Sequence, residues 1–166
     1  MIRSDVIDAA ERLQPPAMAA HLGARAATDL PSLSVVSPCY NEQESLAELC
    51  RRLTDVCREQ VGDSYEIVLV DDGSKDATRA MIAAACRSDP HMVGVLLSRN
   101  HGHQLALSAG LQVCRGKRVL VIDADLQDPP ELLGSMMMLM DDEKADVVYG
   151  QRSERKGESP FKRLSA

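Results

Sequence analysis

The sequence has no tryptophan, and aromatic residues make up only 2% of its 166 residues. Any core must therefore be aliphatic, and a hydrophobic content of 45% is enough to build one from Ala, Leu, Val, Ile and Met. No apolar run approaches the roughly eighteen residues that a membrane helix needs, so nothing reads as a span. The start, Met1-Ile2-Arg3-Ser4-Asp5, shows no apolar secretory region. Basic residues do not dominate: 19 Lys and Arg stand against 25 Asp and Glu, a formal −6. That balance argues against nucleic acid as a partner, since such binding rests on neutralising phosphates. The five cysteines, Cys39, Cys50, Cys57, Cys86 and Cys114, contain no C-x-x-C pair. They read as buried or half-buried thiols in a reducing compartment, not as a disulfide or zinc framework. His101 and His103 flank one glycine without a wider Cys/His cluster and read as polar loop residues. There is no G-x-G-x-x-G after the first apolar run, no G-x-x-x-x-G-K-[ST] and no G-x-S-x-G, which sets aside dinucleotide cofactors, P-loop chemistry and the hydrolase elbow.

What is present begins at Leu33. Residues 1–32, rich in Ala and carrying Pro15-Pro16, read as an N-terminal extension with a short helix over 5–13. From there, short apolar runs alternate with amphipathic stretches. Strands are predicted over 33–39, 65–70, 92–97, 118–122 and 145–149, and helices over 42–60, 76–87, 104–114 and 130–142. In the first helix Leu46, Leu49, Cys50, Leu53, Val56 and Cys57 recur on one face. In the second, Ala77, Ala80, Met81 and Ala84 are expected inward. Strand–helix alternation implies βαβ units, and so an α/β fold with a mostly parallel sheet and helices on both faces. The second and fourth strands are continuously apolar, as burial on both faces requires. Residues 33–150 are taken as one domain. Residues 151–166 carry Arg152, Arg155, Lys156, Lys162 and Arg163 against Glu154 and Glu158, a net +3 that leaves −9 on the rest. Such a basic segment suits phosphates or an anionic surface, or simply solvent.

In parallel sheets ligands bind beyond the carboxyl ends of the strands, and polar residues gather there. Asp123-Ala124-Asp125 follows the fourth strand. Two neighbouring carboxylates repel each other, and a divalent cation relieves the repulsion; the oxygens of Asp and Gln suit Mg²⁺ or Mn²⁺. The alternative is a strand-end turn, with Asp128 capping the helix that Pro129-Pro130 opens. Asp71-Asp72-Gly73-Ser74 follows the second strand. It reads either as a tight glycine turn or as a carboxylate for a nucleotide's base or ribose, with Gly73 allowing close backbone approach. Pro38-Cys39-Tyr40-Asn41-Glu42 follows the first strand, where Tyr40, Asn41 and Glu42 offer hydrogen bonds.

Taken in order, Val35-Val-Ser-Pro-Cys-Tyr-Asn-Glu42, Val68-Leu-Val-Asp-Asp-Gly-Ser74, Ser98-Arg-Asn-His-Gly-His103, Val121-Ile-Asp-Ala-Asp-Leu-Gln-Asp-Pro-Pro-Glu131 and Val148-Tyr-Gly-Gln-Arg152 resemble the family-2 glycosyltransferases of the GT-A fold. The likeness is strongest to the group that glycosylates polyprenyl phosphates, and it covers residues 33–166. It implies a metal-dependent, inverting transfer of a hexose from a nucleotide-diphosphate sugar, of UDP-glucose or GDP-mannose type, to a polyprenyl phosphate at the cytoplasmic membrane face. By position, Pro38, Tyr40, Asn41, Glu42, Asp71 and Asp72 would hold the nucleoside. Asp123 would contact ribose or diphosphate, and Asp125 and Gln127 would ligate Mg²⁺ or Mn²⁺. Arg152, Arg155 and Arg163 would bind the sugar diphosphate and the lipid phosphate. Asp125, Asp128 and Arg152 are the expected catalytic set; Asp128 or Glu131 would serve as base only for a hydroxyl acceptor. Members of this group usually continue into membrane-associated helices, so the sequence reads as a soluble piece of a longer chain whose contacts between copies would lie in the missing C-terminal region. Three other readings compete: a same-fold transferase with a soluble or saccharide acceptor, an aspartyl phosphotransferase using Asp123, and a fragment that only binds nucleotide.

Overall fold

A computed structural model describes residues 30–151. The expected extension and the basic segment, with Arg152, Arg155 and Arg163, lie outside them. The elements are β1 (Leu33–Cys39), α1 (Leu46–Val61), β2 (Tyr65–Asp71), α2 (Thr78–Ser88), β3 (Met92–Leu96), α3 (His103–Val113), β4 (Arg118–Val121), a 3₁₀ turn (Pro130–Leu132) and α4 (Leu133–Asp142). Four parallel strands are ordered β3-β2-β1-β4. The strands march outward from β1 to β3, then the chain crosses back and lays β4 on the other side of β1.

Period-two alternation splits the central strands between two cores. Val35, Ile67 and Leu69 face α1, α2 and α4, packing with Leu49, Leu53, Cys57, Ile82 and Leu133. Val36, Val68 and Val70 face α3 and pack against Ala106. For α1 and α2 on one face and α3 on the other, that placement is what right-handed crossovers give when the direction of winding reverses at β1. The buried positions of α3 are small, Ala106 and Gly110. A Cβ built on Gly110 would lie 2.4 Å from Val36 Cγ1 and 2.9 Å from Val70 Cγ2, so the helix backbone rests almost directly on the sheet.

Pro38 sits inside a central strand, where a missing N–H would ordinarily cost a ladder bond. It is tolerated because the β1–β4 ladder is ending there. The Val36 carbonyl accepts from Ile122 N–H at 3.1 Å, and the register stops at Val36 opposite Val121. Two residues on, Pro38 turns its ring to that same side, where β4 has already left the sheet. On the other side Pro38 still pairs with Val70. The two strands thus part, and a crevice opens between their carboxyl ends.

Several expectations change. Residues 145–149 form no strand; Val147 and Tyr149 are 76% and 80% exposed, with no neighbouring strand among the described residues to pair with. For the same reason β4 is an edge strand and not covered on both faces: Val119 and Val121 are 42% and 45% exposed. The inward side of α2 carries Thr78, Ile82 and Cys86, with Met81 packed on the core as expected, while Ala77, Ala80 and Ala84 face solvent. Alanine is equally at home on either face, so its spacing did not fix the helix rotation. The face of α1 is as expected, with Leu46, Leu49, Leu53, Val56 and Cys57 buried. That helix starts at Leu46, because residues 42–45 form a hydrogen-bonded turn in which Leu46 N–H reaches the Glu42 carbonyl.

Replacing Gly110 by Ala should destabilise the fold by about 1–3 kcal/mol through overpacking, although the same change in an exposed helix would stabilise it by about 1 kcal/mol. Urea denaturation of the two proteins measures the sign; a more stable Gly110→Ala variant would contradict the close approach of α3 to the sheet.

Candidate functional site

The crevice between β1 and β4 lies where a doubly wound sheet binds ligands, outside the strand ends at the reversal of winding. It is an open cleft of about 310 Å³. Pro38, Tyr40 and Glu42 line it from β1, Asp72 from β2, Asn100, Gly102 and His103 from the β3–α3 side, and Asp123 and Asp125 from β4. Four carboxylates, Glu42, Asp72, Asp123 and Asp125, face it, and among the described residues neither Lys nor Arg lines it. A second open hollow adjoins it through Glu42 and Asp125, with Asn41, Lys75 and Asp76 on its walls.

The end of β4 keeps its alternation after the ladder stops. Ile122 and Ala124 are buried and Leu126 packs on the core, whereas Asp123, Asp125 and Gln127 are exposed. The small middle residue of Asp-Ala-Asp is therefore a core position, and the two acids face the cleft. Asp125 Oδ1 accepts the Gln127 N–H at 3.0 Å. Leu126 between them has φ of 61°. A branched residue in the left-handed region carries strain, which folds concentrate at functional loops. Asn41, on the β1 loop facing the second hollow, has φ of 59°. Across the cleft, His103 Nε2 lies 3.7 Å from Asp123 Oδ1, and both side chains are about half exposed. Sequence reasoning passed over His103; its signal was its place at the start of a helix that follows a strand end.

The loops after β1 and β2 are tied together by exchanged hydrogen bonds. Asn41 N–H donates to Ser74 Oγ at 3.0 Å, and Asn41 Oδ1 accepts from Lys75 N–H at 2.9 Å. Glu42 N–H donates to Thr78 Oγ1 at 2.7 Å, Gln43 N–H to Asp76 Oδ2 at 3.2 Å, and Ala77 N–H to Gln43 Oε1 at 3.2 Å. The Glu42 carboxylate accepts from Ser45 Oγ at 2.6 Å. Pro38 and Tyr40 form the neighbouring wall, with Tyr40 39% exposed.

The two acids of the β2 turn have different surroundings. Asp71 is fully buried and outside the cleft lining; its oxygens accept from Ser74 N–H at 3.1 Å and Arg79 Nε at 2.7 Å. Asp72 lines the cleft, and its two oxygens accept from His101 N–H at 2.7 Å and Gly102 N–H at 2.9 Å. Gly73, with φ of 70°, approaches protein and not ligand: a Cβ there would lie 2.4 Å from the carbonyl carbon of Arg99 and 2.5 Å from Asn100 N.

Other expected residues fall elsewhere. The 3₁₀ turn begins at Pro130 with Pro129 in the capping place, so Asp128 sits one residue too early to cap it. Glu131 is turned outward to Arg52 of α1, whose guanidinium grips both its oxygens and pulls its carboxyl down to about 2. An acid so strongly ionised makes a weak base. Cys39 lies at the cleft floor, and burial pushes its thiol up to about 12, which leaves it without thiolate character near neutrality.

Asp125 and Gln127 supply hard oxygen donors. Among the described residues no three His, Cys, Asp or Glu side chains gather to hold a metal. An all-protein cage is therefore absent there, but Mg²⁺ and Mn²⁺ sites commonly use one or two side chains and take the rest from waters and substrate phosphates. Asp125, which lines both hollows, suits an ion of that kind, whereas Gln127 is exposed beside it and lines neither.

The model of Glycosyl transferase family 2 matches residues 34–166. The chain belongs to that family. A Bacillus subtilis relative, described as the uncharacterized glycosyltransferase YkcC, is 42% identical over 133 residues, which are 80% of this chain and 41% of that protein. The undecaprenyl-phosphate 4-deoxy-4-formamido-L-arabinose transferase of Salmonella typhimurium is 43% identical over 130 residues, 78% of this chain and 39% of that one. This glycosyltransferase chain thus spans about two fifths of the length of the curated relatives it matches. Among solved structures, S. aureus TarS 1–349 in complex with UDP aligns with a TM-score of 0.57 at 25% identity, covering 79% of this chain and 39% of that one. The mannosyltransferase PcManGT from Pyrobaculum calidifontis, in complex with GDP-Man and Mn²⁺, aligns with a TM-score of 0.54 at 26% identity, covering 68% and 33%. The parallel α/β fold is that of the GT-A glycosyltransferases.

Two outcomes test this geometry. Gly73→Ala must push the Arg99–Asn100 backbone away and adopt a left-handed φ, so a loss of about 1–3 kcal/mol in urea denaturation is expected. For Glu131, a lowered carboxyl pKa means that the Arg52 contact adds stability above the ordinary value of 4.5 and loses it as pH falls toward about 2. NMR titration of Arg52→Ala should find Glu131 raised toward its ordinary value; an unmoved titration would mean that another group holds it down.

Proposed function

We propose that the cleft binds a nucleotide-diphosphate sugar and that the full-length protein transfers its hexose, with inversion, to a polyprenyl phosphate at the cytoplasmic membrane face. The observation that carries the reading is the pair of exposed acids at the end of β4, Asp123 and Asp125, facing Tyr40 and Glu42 across the parting of β1 and β4. Tyr40, Asn41 and Glu42 are taken as nucleoside contacts, with Pro38 shaping that wall. Asp71 and Asp72 support the nucleoside side from beneath, since their oxygens bind the protein's own groups.

The charge of the cleft bears on the metal. A diphosphate is anionic, and among the described residues the lining offers four carboxylates and neither Lys nor Arg. Mg²⁺ or Mn²⁺ held by Asp125 and Gln127 would neutralise the departing diphosphate. Asp123 is assigned to the ribose or diphosphate. Arg152, Arg155 and Arg163, outside the described residues, are assigned to the diphosphate and the acceptor phosphate, as their charge suits. In the transfer an acceptor phosphate oxygen bonds to the anomeric carbon as the bond from that carbon to the diphosphate breaks. That oxygen is already ionised, so no general base is required, and Asp128 acts as a base only toward a hydroxyl acceptor. The Salmonella relative's name, an undecaprenyl-phosphate sugar transferase, supports the lipid acceptor over a soluble one. No described helix is long and apolar enough to cross a membrane. The expected contacts between copies concern chain outside the described residues.

UDP or GDP together with Mn²⁺ should raise the melting temperature of the chain by several degrees, more than either alone. Asp125→Ala and Gln127→Ala should abolish the metal-dependent part. Radiolabelled sugar transfer to a polyprenyl phosphate by the full-length protein, insensitive to EDTA, would overturn the metal's role.

A further inference from the structure

His103 has no part in the assignments above, yet it stands on the cleft wall opposite Asp123. We propose that His103 is a positioning residue that orients the Asp123 carboxylate, and that Asp72 sets His103 in place through the backbone of the loop between them. Its effect on binding rests on the reading of Asp123 as a donor-substrate contact.

Asp72 is 3% exposed, and both of its oxygens accept backbone N–H groups, from His101 and Gly102. Two charge-assisted bonds to adjacent amides, one on each oxygen, fix the loop's path. The next residue, Gly73, lies against the backbone of Arg99 and Asn100, where a side chain would not fit. Two consecutive residues at the end of β2 therefore hold four consecutive residues of the β3–α3 loop. Gly102, with φ of 92°, then turns the chain straight into α3, and His103 is the first residue of that helix. Its Nε2 comes within 3.7 Å of Asp123 Oδ1. The distance exceeds that of a direct hydrogen bond, so the ring N and the carboxylate face each other as polar neighbours across the mouth of the cleft.

The two acids of Asp123-Ala124-Asp125 are thus held by different means. Asp125 is turned by an N–H of its own loop, that of Gln127. Asp123 is met from the opposite wall. Among the described residues neither Lys nor Arg lines the cleft beside it. Each acid is aimed separately, as a division of labour between metal and substrate requires.

The test combines binding with a conformational readout. In His103→Ala, Asp123 should lose its single χ1 rotamer in NMR side-chain couplings, and UDP or GDP measured by calorimetry in EDTA should bind about three- to five-fold more weakly, the size of one partly exposed contact. His103→Gln, which keeps a donor, should restore most of both. Asp72→Asn should speed hydrogen exchange at the His101 and Gly102 amides, and joined to His103→Ala it should weaken nucleotide binding no further. An Asp123 rotamer that stays fixed in His103→Ala, or losses that add in the double variant, would overturn the proposal. Should the unaltered chain bind neither nucleotide, the donor-site reading fails, and the Asp123 rotamer by itself decides the role of His103.

Discussion

The near contact of α3 with the sheet is the constraint on which the rest depends. At Gly110 the helix has no side chain, and its backbone settles onto Val36 and Val70. Lying across both β1 and β2 on the face opposite α1 and α2, α3 returns the chain over the sheet and delivers β4 to the far side of β1. The reversal of winding at β1 follows, and with it a crevice between the parting ends of β1 and β4, although the segments after both strands pack on the same face of the sheet. Pro38 marks the point at which the β1–β4 ladder stops. Packing between a helix and two valines thus decides where a ligand can enter.

Around that crevice the loops are held mainly by their own polar groups. The β1 and β2 loops exchange side-chain and backbone hydrogen bonds, and Asp72 with Gly73 fixes the β3 loop. Prior fixation matters for the chemistry proposed, because an acidic cleft that binds an anion must have its carboxylates aimed before the ligand arrives. The left-handed backbone at Asn41 and Leu126 is the local cost of that aim. Leu126 is tolerated there because its side chain packs on the core while its neighbours face outward.

Much of this was legible in the amino-acid order. The α/β alternation, the parallel sheet, the inner face of α1 and the gathering of Tyr40, Glu42, Asp72, Asp123 and Asp125 at strand ends all follow from periodicity and from where the apolar runs stop. These are local properties, set by the side chains of a few neighbouring residues. The family itself was carried by short motifs whose order along the chain survives without any knowledge of folding.

Tertiary structure decided the remainder, because it depends on contacts between residues far apart in sequence. Asp71 and Asp72 are adjacent and chemically identical, yet one is buried against Arg79 and the other faces the cleft while binding the amides of His101 and Gly102. Gly73 has the φ of a turn, and the backbone of Arg99 and Asn100, packed against it, explains its want of a side chain. Glu131 is drawn to Arg52 of α1. The run 145–149 has the composition of a strand and no strand beside it among the described residues, so composition alone did not make it one. His103, which in the sequence is one polar residue in a loop motif, acquires a place in the cleft only because α3 starts where the Asp72 carboxylate holds the chain. Sequence sets what each residue offers; the crossing of α3 over the sheet, a long-range packing event, sets which other residue receives it.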